Sequence, residues 1–229
     1  MAELPSSIEK KGLFKLVLTF HCVVSSLRVG VSAVQSADST YGFTELPLQS
    51  QNLDVQRPYD VPVEQRFSFC GGVYRLWVFA DDKPHTPTSP TKPRTEIRIS
   101  GYDYSSGVWQ FEGHAFVPNR TTGVAIMQIL LAAHGATTLA ITVSNGQLMY
   151  YQSQVLDSDI YDRWFKLNVI HDMDAHKVIV FIDGVQKLEV MDRGGHSHYF
   201  KCGVYAQRNG SYYMESLWKH IKIFKLLMQ

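Results

Sequence analysis

Beyond the first forty positions, apolar and polar residues alternate in short runs, and turn residues interrupt them every ten residues or so. Period-two alternation over a few residues is the pattern of half-buried strands, whereas helices repeat at 3.6. Runs 139–143 and 147–151 flank Asn145-Gly146, and runs 178–182 and 185–190 flank Asp183-Gly184. Both dipeptides supply the two positive-φ residues that a tight hairpin needs. Further strands are predicted at 74–79, 96–99, 108–116, 125–131, 165–170, 199–206 and 218–224. The segment 84–93 carries Pro84, Pro87, Pro90 and Pro93, cannot be a central strand, and reads as an extended surface loop. There is no internal repeat, and the pattern predicts an all-β antiparallel sandwich or jelly roll.

The composition agrees. The 229 residues are 45% hydrophobic, 12% aromatic and 19% charged, with 16 Gly and 9 Pro, which disfavours a helical bundle or a disordered chain. The formal charge of +1 gives no global field to attract nucleic acid or an anionic membrane, so anion binding must be local.

The N-terminal segment is set apart. Lys10, Lys11 and Lys15 precede a mostly apolar run at 16–24, and small residues follow at 31–33 and 36–37, the pattern of a secretory signal. Lys15, His21 and Arg28 interrupt the apolar stretch too often for a spanning helix. Residues 1–37 are therefore expected to be cleaved, leaving 38–229 as one domain with 18 basic and 19 acidic residues, a charge of −1. No membrane association is expected after removal. Cys22 falls in the signal; Cys70 and Cys202 remain, and the strand position of Cys202 favours two buried free thiols, although an even count leaves a disulfide open. Asn119-Arg120-Thr121 and Asn209-Gly210-Ser211 are N-glycosylation acceptors in a secreted chain.

Candidate chemistry follows from strand faces. Arg94, Glu96 and Arg98 point one way, opposite Thr95, Ile97 and Ile99; Tyr199, Lys201, Gly203, Tyr205 and Gln207 share a face opposite Phe200, Cys202, Val204 and Ala206. Each polar face reads equally as an ordinary solvated side. Tyr and Gln beside guanidiniums also suit a carboxylate-bearing sugar, because rings stack on sugar faces and Arg grips carboxylates with two hydrogen bonds.

Three blocks in order, Arg94-Thr95-Glu96-Ile97-Arg98, Gln128-Ile129-Leu130 and Tyr199-Phe200-Lys201-Cys202-Gly203-Val204-Tyr205-Ala206-Gln207, resemble the signature of the alginate lyase and glucuronan lyase jelly rolls. From about residue 42 to 224 the chain is also similar to the plant citrate-binding proteins, which share that lyase-like domain, through Gln56-Arg57-Pro58-Tyr59-Asp60, the stretch 105–113 and Asn168-Val169-Ile170-His171-Asp172. The resemblance implies that Arg94, Gln128 and Lys201 neutralise a uronate carboxylate and that Tyr205 handles protons, with Arg98, Tyr199, Gln207 and Glu96 contacting substrate. One position departs: the middle block of the lyases ends in His, a base, and here it is Leu130.

β-Elimination removes the proton at C5 beside the carboxylate and expels O4. When both lie on the same side, one tyrosine can take the proton and return it, so no His is needed. Lys201 and Tyr205 are four strand residues apart, roughly 13 Å, so Lys201 is expected to bridge to substrate while Arg98 is the alternative neighbour of Tyr205. His85 in the proline-rich loop is a candidate replacement base. His196 and His198 lack a third metal ligand, Asp172 and Asp174 read as a turn, and His114 and His134 read as satisfied structural residues. No metal and no cofactor is expected. The reading is a monomeric polyuronate lyase acting by syn elimination, in the secretory pathway and destined for the cell wall or vacuole. The alternatives are a non-catalytic protein that binds citrate or an acidic glycan, and a stress-related wall protein without small-molecule chemistry.

Overall fold

A computed structural model describes residues 40–131 and 137–227. The cleaved-signal expectation for 1–37 and the role given to His134 lie outside the described residues. Fifteen strands are found there: β1 Phe43–Leu46, β2 Leu53–Gln56, β3 Phe67–Cys70, β4 Val73–Phe79, β5 Arg94–Ile99, β6 Val108–Phe116, β7 Val124–Leu131, β8 Thr137–Ser144, β9 Gln147–Tyr150, β10 Gln154–Asp157, β11 Trp164–Asp172, β12 Lys177–Ile182, β13 Val185–Met191, β14 His198–Ala206 and β15 Tyr213–Leu226. All their pairings are antiparallel.

They form two sheets. The first runs β13-β12-β11-β6-β15-β4-β3, with β1 also on β15; the second, here the groove sheet, runs β10-β9-β8-β7-β14-β5-β2. Each contributes its alternate apolar residues to one shared core, including Leu76, Phe111, Phe165 and Trp218 from the first and Ile97, Met127, Ile129, Ile141 and Phe200 from the second. The architecture is the all-β jelly roll that the alternation predicts.

Both dipeptide hairpins form as read, with Asn145 at φ 49° and Asp183 at φ 50°. The segment between β4 and β5 is the expected proline-rich loop. Four strands were not read from the sequence: β1, β2, β3 and β10, each only four residues long. Cys70 and Cys202 are both free, but only Cys202 is buried. Cys70 ends β3, an outer strand of its sheet, so the expectation of two buried thiols is corrected for that residue.

Candidate functional site

The candidate residues lie on β7, β14, β5 and β2, which are neighbours in that order. Register arranges them in rows. Gln128 opposes Lys201, Lys201 opposes Arg98, and Arg98 opposes Asp54. The next row holds Gly203, Glu96 and Gln56, and the one beyond it pairs Tyr205 with Arg94. On the other side of the Lys201 row, Tyr199 opposes Leu130. Directly paired residues share a sheet face, so these side chains stand opposite the core-facing set Ile97, Ile129, Phe200 and Cys202. Gly203 is required where it stands: its φ is 143°, and a Cβ would come within 2.4 Å of the Thr95 carbonyl oxygen on the adjoining strand.

Glu96 is the centre. It is fully buried, and its carboxylate accepts from Gln128 Nε2 and from Arg94 at 3.3 Å, with Lys201 Nζ at 3.5 Å. Lys201 also donates to Gln56 Oε1 at 2.5 Å. A buried carboxylate survives only when its oxygens are satisfied, and its charge in turn holds the two cations in place. Burial pulls the Lys201 ammonium below its usual pKa range; Glu96 opposes this, and Arg94 and Arg98 add to it.

Two arginine–tyrosine pairs flank this centre. Arg94 Cζ lies 4.0 Å from the Tyr205 ring centroid, and Arg98 Cζ lies 4.1 Å from that of Tyr199. Arg98 is further fixed by Asp103 at 2.6 Å and by Ser100 Oγ at 2.9 Å. Burial raises the Tyr199 phenol and Arg98 draws it back, both by charge and by hydrogen bonding. Arg94, Arg98 and Lys201 thus stand beside the carboxylates of Glu96, Asp103 and, across from Arg98, Asp54. Arg94 Nε is buried without a hydrogen-bond partner.

His85 does reach the site from its loop. Burial lowers its pKa, and the cations of Arg94 and Lys201 lower it further, which keeps the imidazole neutral at pH 7. Its Nδ1 is buried without a partner.

Several expectations change. The neighbour of Tyr205 is Arg94, because register places Arg98 two rows away against Lys201. Tyr205 sits two rows from Gln128, whereas Tyr199 is one row from it, so Tyr199 is the tyrosine nearer the amide and the ammonium. Glu96 presents no free oxygen to a substrate and instead orients its neighbours. Gln207 falls just past β14 and donates to the carbonyls of Tyr205 and Ala206 at 3.2 Å each, turned back on its own strand. Gln56 was missed, although the Leu-Asp-Val-Gln alternation of 53–56 carries a strand signal.

Among the described residues no group of three His, Cys, Asp or Glu side chains could hold a metal. His198 is fully buried against His171 and Tyr104, with ring centroids at 4.7 and 5.8 Å. Asp172 caps a turn by accepting from the backbone of Asp174 and Ala175 at 3.0 and 2.8 Å. His114 has a buried Nδ1 without a partner, unlike the satisfied residue expected. Asn119 and Asn209 are both exposed.

Known proteins resemble this chain at the level of fold and of sequence. The sequence profile of the alginate lyase family matches residues 46–225. The citrate-binding protein of Hevea brasiliensis is 54% identical over 191 residues, covering 83% of this chain and 80% of the relative. The alginate lyase AlgAT5 of polysaccharide lyase family 7 superposes with a TM-score of 0.62 at 18% identity, covering 75% of this chain and 93% of the other. An alginate lyase from Corynebacterium sp. gives 0.58 at 16%, over 78% and 91% of the two chains. The fold, the matched profile and the citrate-binding relative agree, and the chain belongs to the alginate lyase family.

Proposed function

We propose that the groove sheet binds the carboxylates of an acidic ligand, of the uronate-glycan or citrate class, without cleaving it. The carrying observation is the pairing of Leu130 with Tyr199. The cations and the amide that would hold a carboxylate are in place, oriented by the buried Glu96, while the position facing Tyr199 holds a buried hydrocarbon instead of a base. Tyr199 itself is held in its protonated form by burial, which suits donating a hydrogen bond and not removing a proton. The name of the Hevea relative supports binding.

Arginine supplies paired donors to carboxylate oxygens and the ammonium supplies charge, and both gain strength in a partly buried site. A bound carboxylate would meet Arg98 and Lys201 on one side of Glu96 and Arg94 on the other, with Gln128 as a neutral donor.

A second reading is favoured by the Arg98–Tyr199 stack. In a syn elimination the phenolate takes the C5 proton, the C5–H electron pair forms the C4–C5 double bond, the C4–O4 bond breaks, and the same proton passes to O4. Arg98 lowers the cost of the phenolate. In this reading Tyr199, one row from Gln128 and stacked on Arg98, takes the role expected of Tyr205.

The test is to incubate the purified protein with glucuronan, mannuronan and guluronan, following ultraviolet absorbance of the unsaturated product, and to titrate each polymer and citrate by calorimetry. Binding heat that Lys201→Met removes, without absorbance change, supports the proposal. Product formation lost in Tyr199→Phe replaces it with the lyase reading. Absence of both heat and product sinks both.

A further inference from the structure

A cavity of about 370 Å³ opens at the end of β14 beyond Tyr205, and Thr142, Met149, Gln152, Gln207, Arg208 and Asn209 are among the residues lining it. Its floor continues the candidate site. Arg94 opposes Tyr205, Tyr205 opposes Ala125, Ala125 opposes Thr142, and Thr142 opposes Met149, one row across β5, β14, β7, β8 and β9. Thr142 stands two strands from Tyr205, about 10 Å at the usual spacing, on the same face of the sheet. That is roughly the reach of two sugar rings. The lining has amides, the hydroxyls of Thr122, Thr142 and Ser144, and one guanidinium, Arg208, a set suited to sugar hydroxyls with at most one carboxylate. A lone citrate held at Arg94 and Lys201 has no use for it.

Asn209 in this wall is also the acceptor of the Asn209-Gly210-Ser211 sequon. The turn that carries it is pinned to the start of β7. Gln207 N donates to the Gly123 carbonyl at 2.8 Å and Ser211 N to that of Thr122 at 3.0 Å. Gly123 has φ +63°, and a Cβ there would lie 2.5 Å from Gly210 Cα, so the two backbones touch where no side chain fits. Asn209 is exposed, yet its position at the rim is fixed.

We propose that the cavity receives an outlying sugar of an acidic glycan whose carboxylate is held at Arg94 and Lys201, and that an N-linked glycan on Asn209 closes it. Glycosylation then sets the length of ligand accepted. The inference rests on the carboxylate-binding reading and narrows it to oligomers.

The experiment uses the chain secreted from a glycosylating eukaryotic host, carrying Asn119→Gln so that only one sequon remains. It is titrated with a glucuronan dimer and a hexamer before and after enzymatic removal of the glycan, which leaves Asp at 209. Without the glycan the hexamer should bind about tenfold more tightly than the dimer, the worth of one or two added hydrogen bonds, and Arg208→Ala should remove most of that gain. With the glycan the two ligands should bind alike, the dimer unchanged. Equal hexamer affinity in both glycoforms, or mass spectra showing an unmodified Asn209, overturns the inference and leaves the carboxylate site standing. Failure of the dimer to bind in either form overturns the carboxylate reading itself. Because Asp at 209 adds a charge, Asn209→Gln from the same host is titrated alongside and must match the deglycosylated protein.

Discussion

Leu130 and Tyr199 face each other directly across the pairing of β7 and β14, and Leu130 is 5% exposed. The two side chains hold the places where the family motif would set an imidazole against a phenol. Leu130→His is close in volume and puts a base beside the Arg98–Tyr199 stack. We expect it to yield unsaturated product from guluronan or mannuronan at least about 10²-fold above the detection limit at which wild type gives none. An absorbance trace no steeper than wild type would show that more than the base is missing.

Glu96→Gln removes the only carboxylate between Arg94 and Lys201, which are 5% and 2% exposed. Leaving two buried cations uncompensated should cost about 3–5 kcal/mol, equivalent to a melting temperature lower by about 10 °C. Calorimetric unfolding reads this directly. A shift under a couple of degrees would mean that the cations relax into solvent.

Ligand affinity should rise on acidification. His85 is neutral at pH 7 because burial and the nearby cations of Arg94 and Lys201 depress its pKa below 6.5. A bound carboxylate opposes both cations and favours the imidazolium, so binding takes up a proton in the window below pH 6.5. Titration with a uronate oligomer between pH 7 and 5 should show tightening of several-fold, and His85→Gln should flatten it. A pH-independent wild type would remove His85 from the site.

Acid should also destabilise the fold. His171 is buried, its Nε2 bonds Asp192 at 3.3 Å and its Nδ1 accepts from Tyr104 at 2.9 Å. Burial and the neighbouring His198 lower its pKa to about 4. With a folded value below the unfolded 6.5, the unfolded state binds the extra proton between those pH values, so stability is complete above 6.5 and declines towards 4 by up to about 3 kcal/mol. Denaturant titrations of wild type and His171→Asn at pH 7 and 4.5 test this. A wild type no more acid-sensitive than the variant would refute it.

The sequence made the hairpins and the site strands legible because their signals are local: a positive-φ dipeptide between two runs, or strict alternation as in Arg94–Ile99. The short strand β2 carries the same alternation over only four residues, too few to mark a strand, and with it goes the contact between Gln56 and Lys201. Which arginine meets which tyrosine was not legible, because parity assigns a face but only register across strands some hundred residues apart assigns a partner. The burial of Glu96 was hidden for a related reason: a carboxylate reads as exposed until its donors converge from three strands. Gln207 lies one residue beyond the end of β14, where strand alternation no longer assigns a face.

The last strands in the sequence occupy the middle of both sheets. β14 lies between β7 and β5, and β15 lies between β6 and β4. Until they insert, β5, β7, β4 and β6 present open edges, and Arg94 waits for Tyr205 across more than a hundred residues of chain. Such long-range pairings make for slow folding and leave nascent chains prone to joining one another edge to edge. During synthesis the row of charges has no precursor: the cluster around Glu96 comes together only when β14 joins β5 to β7.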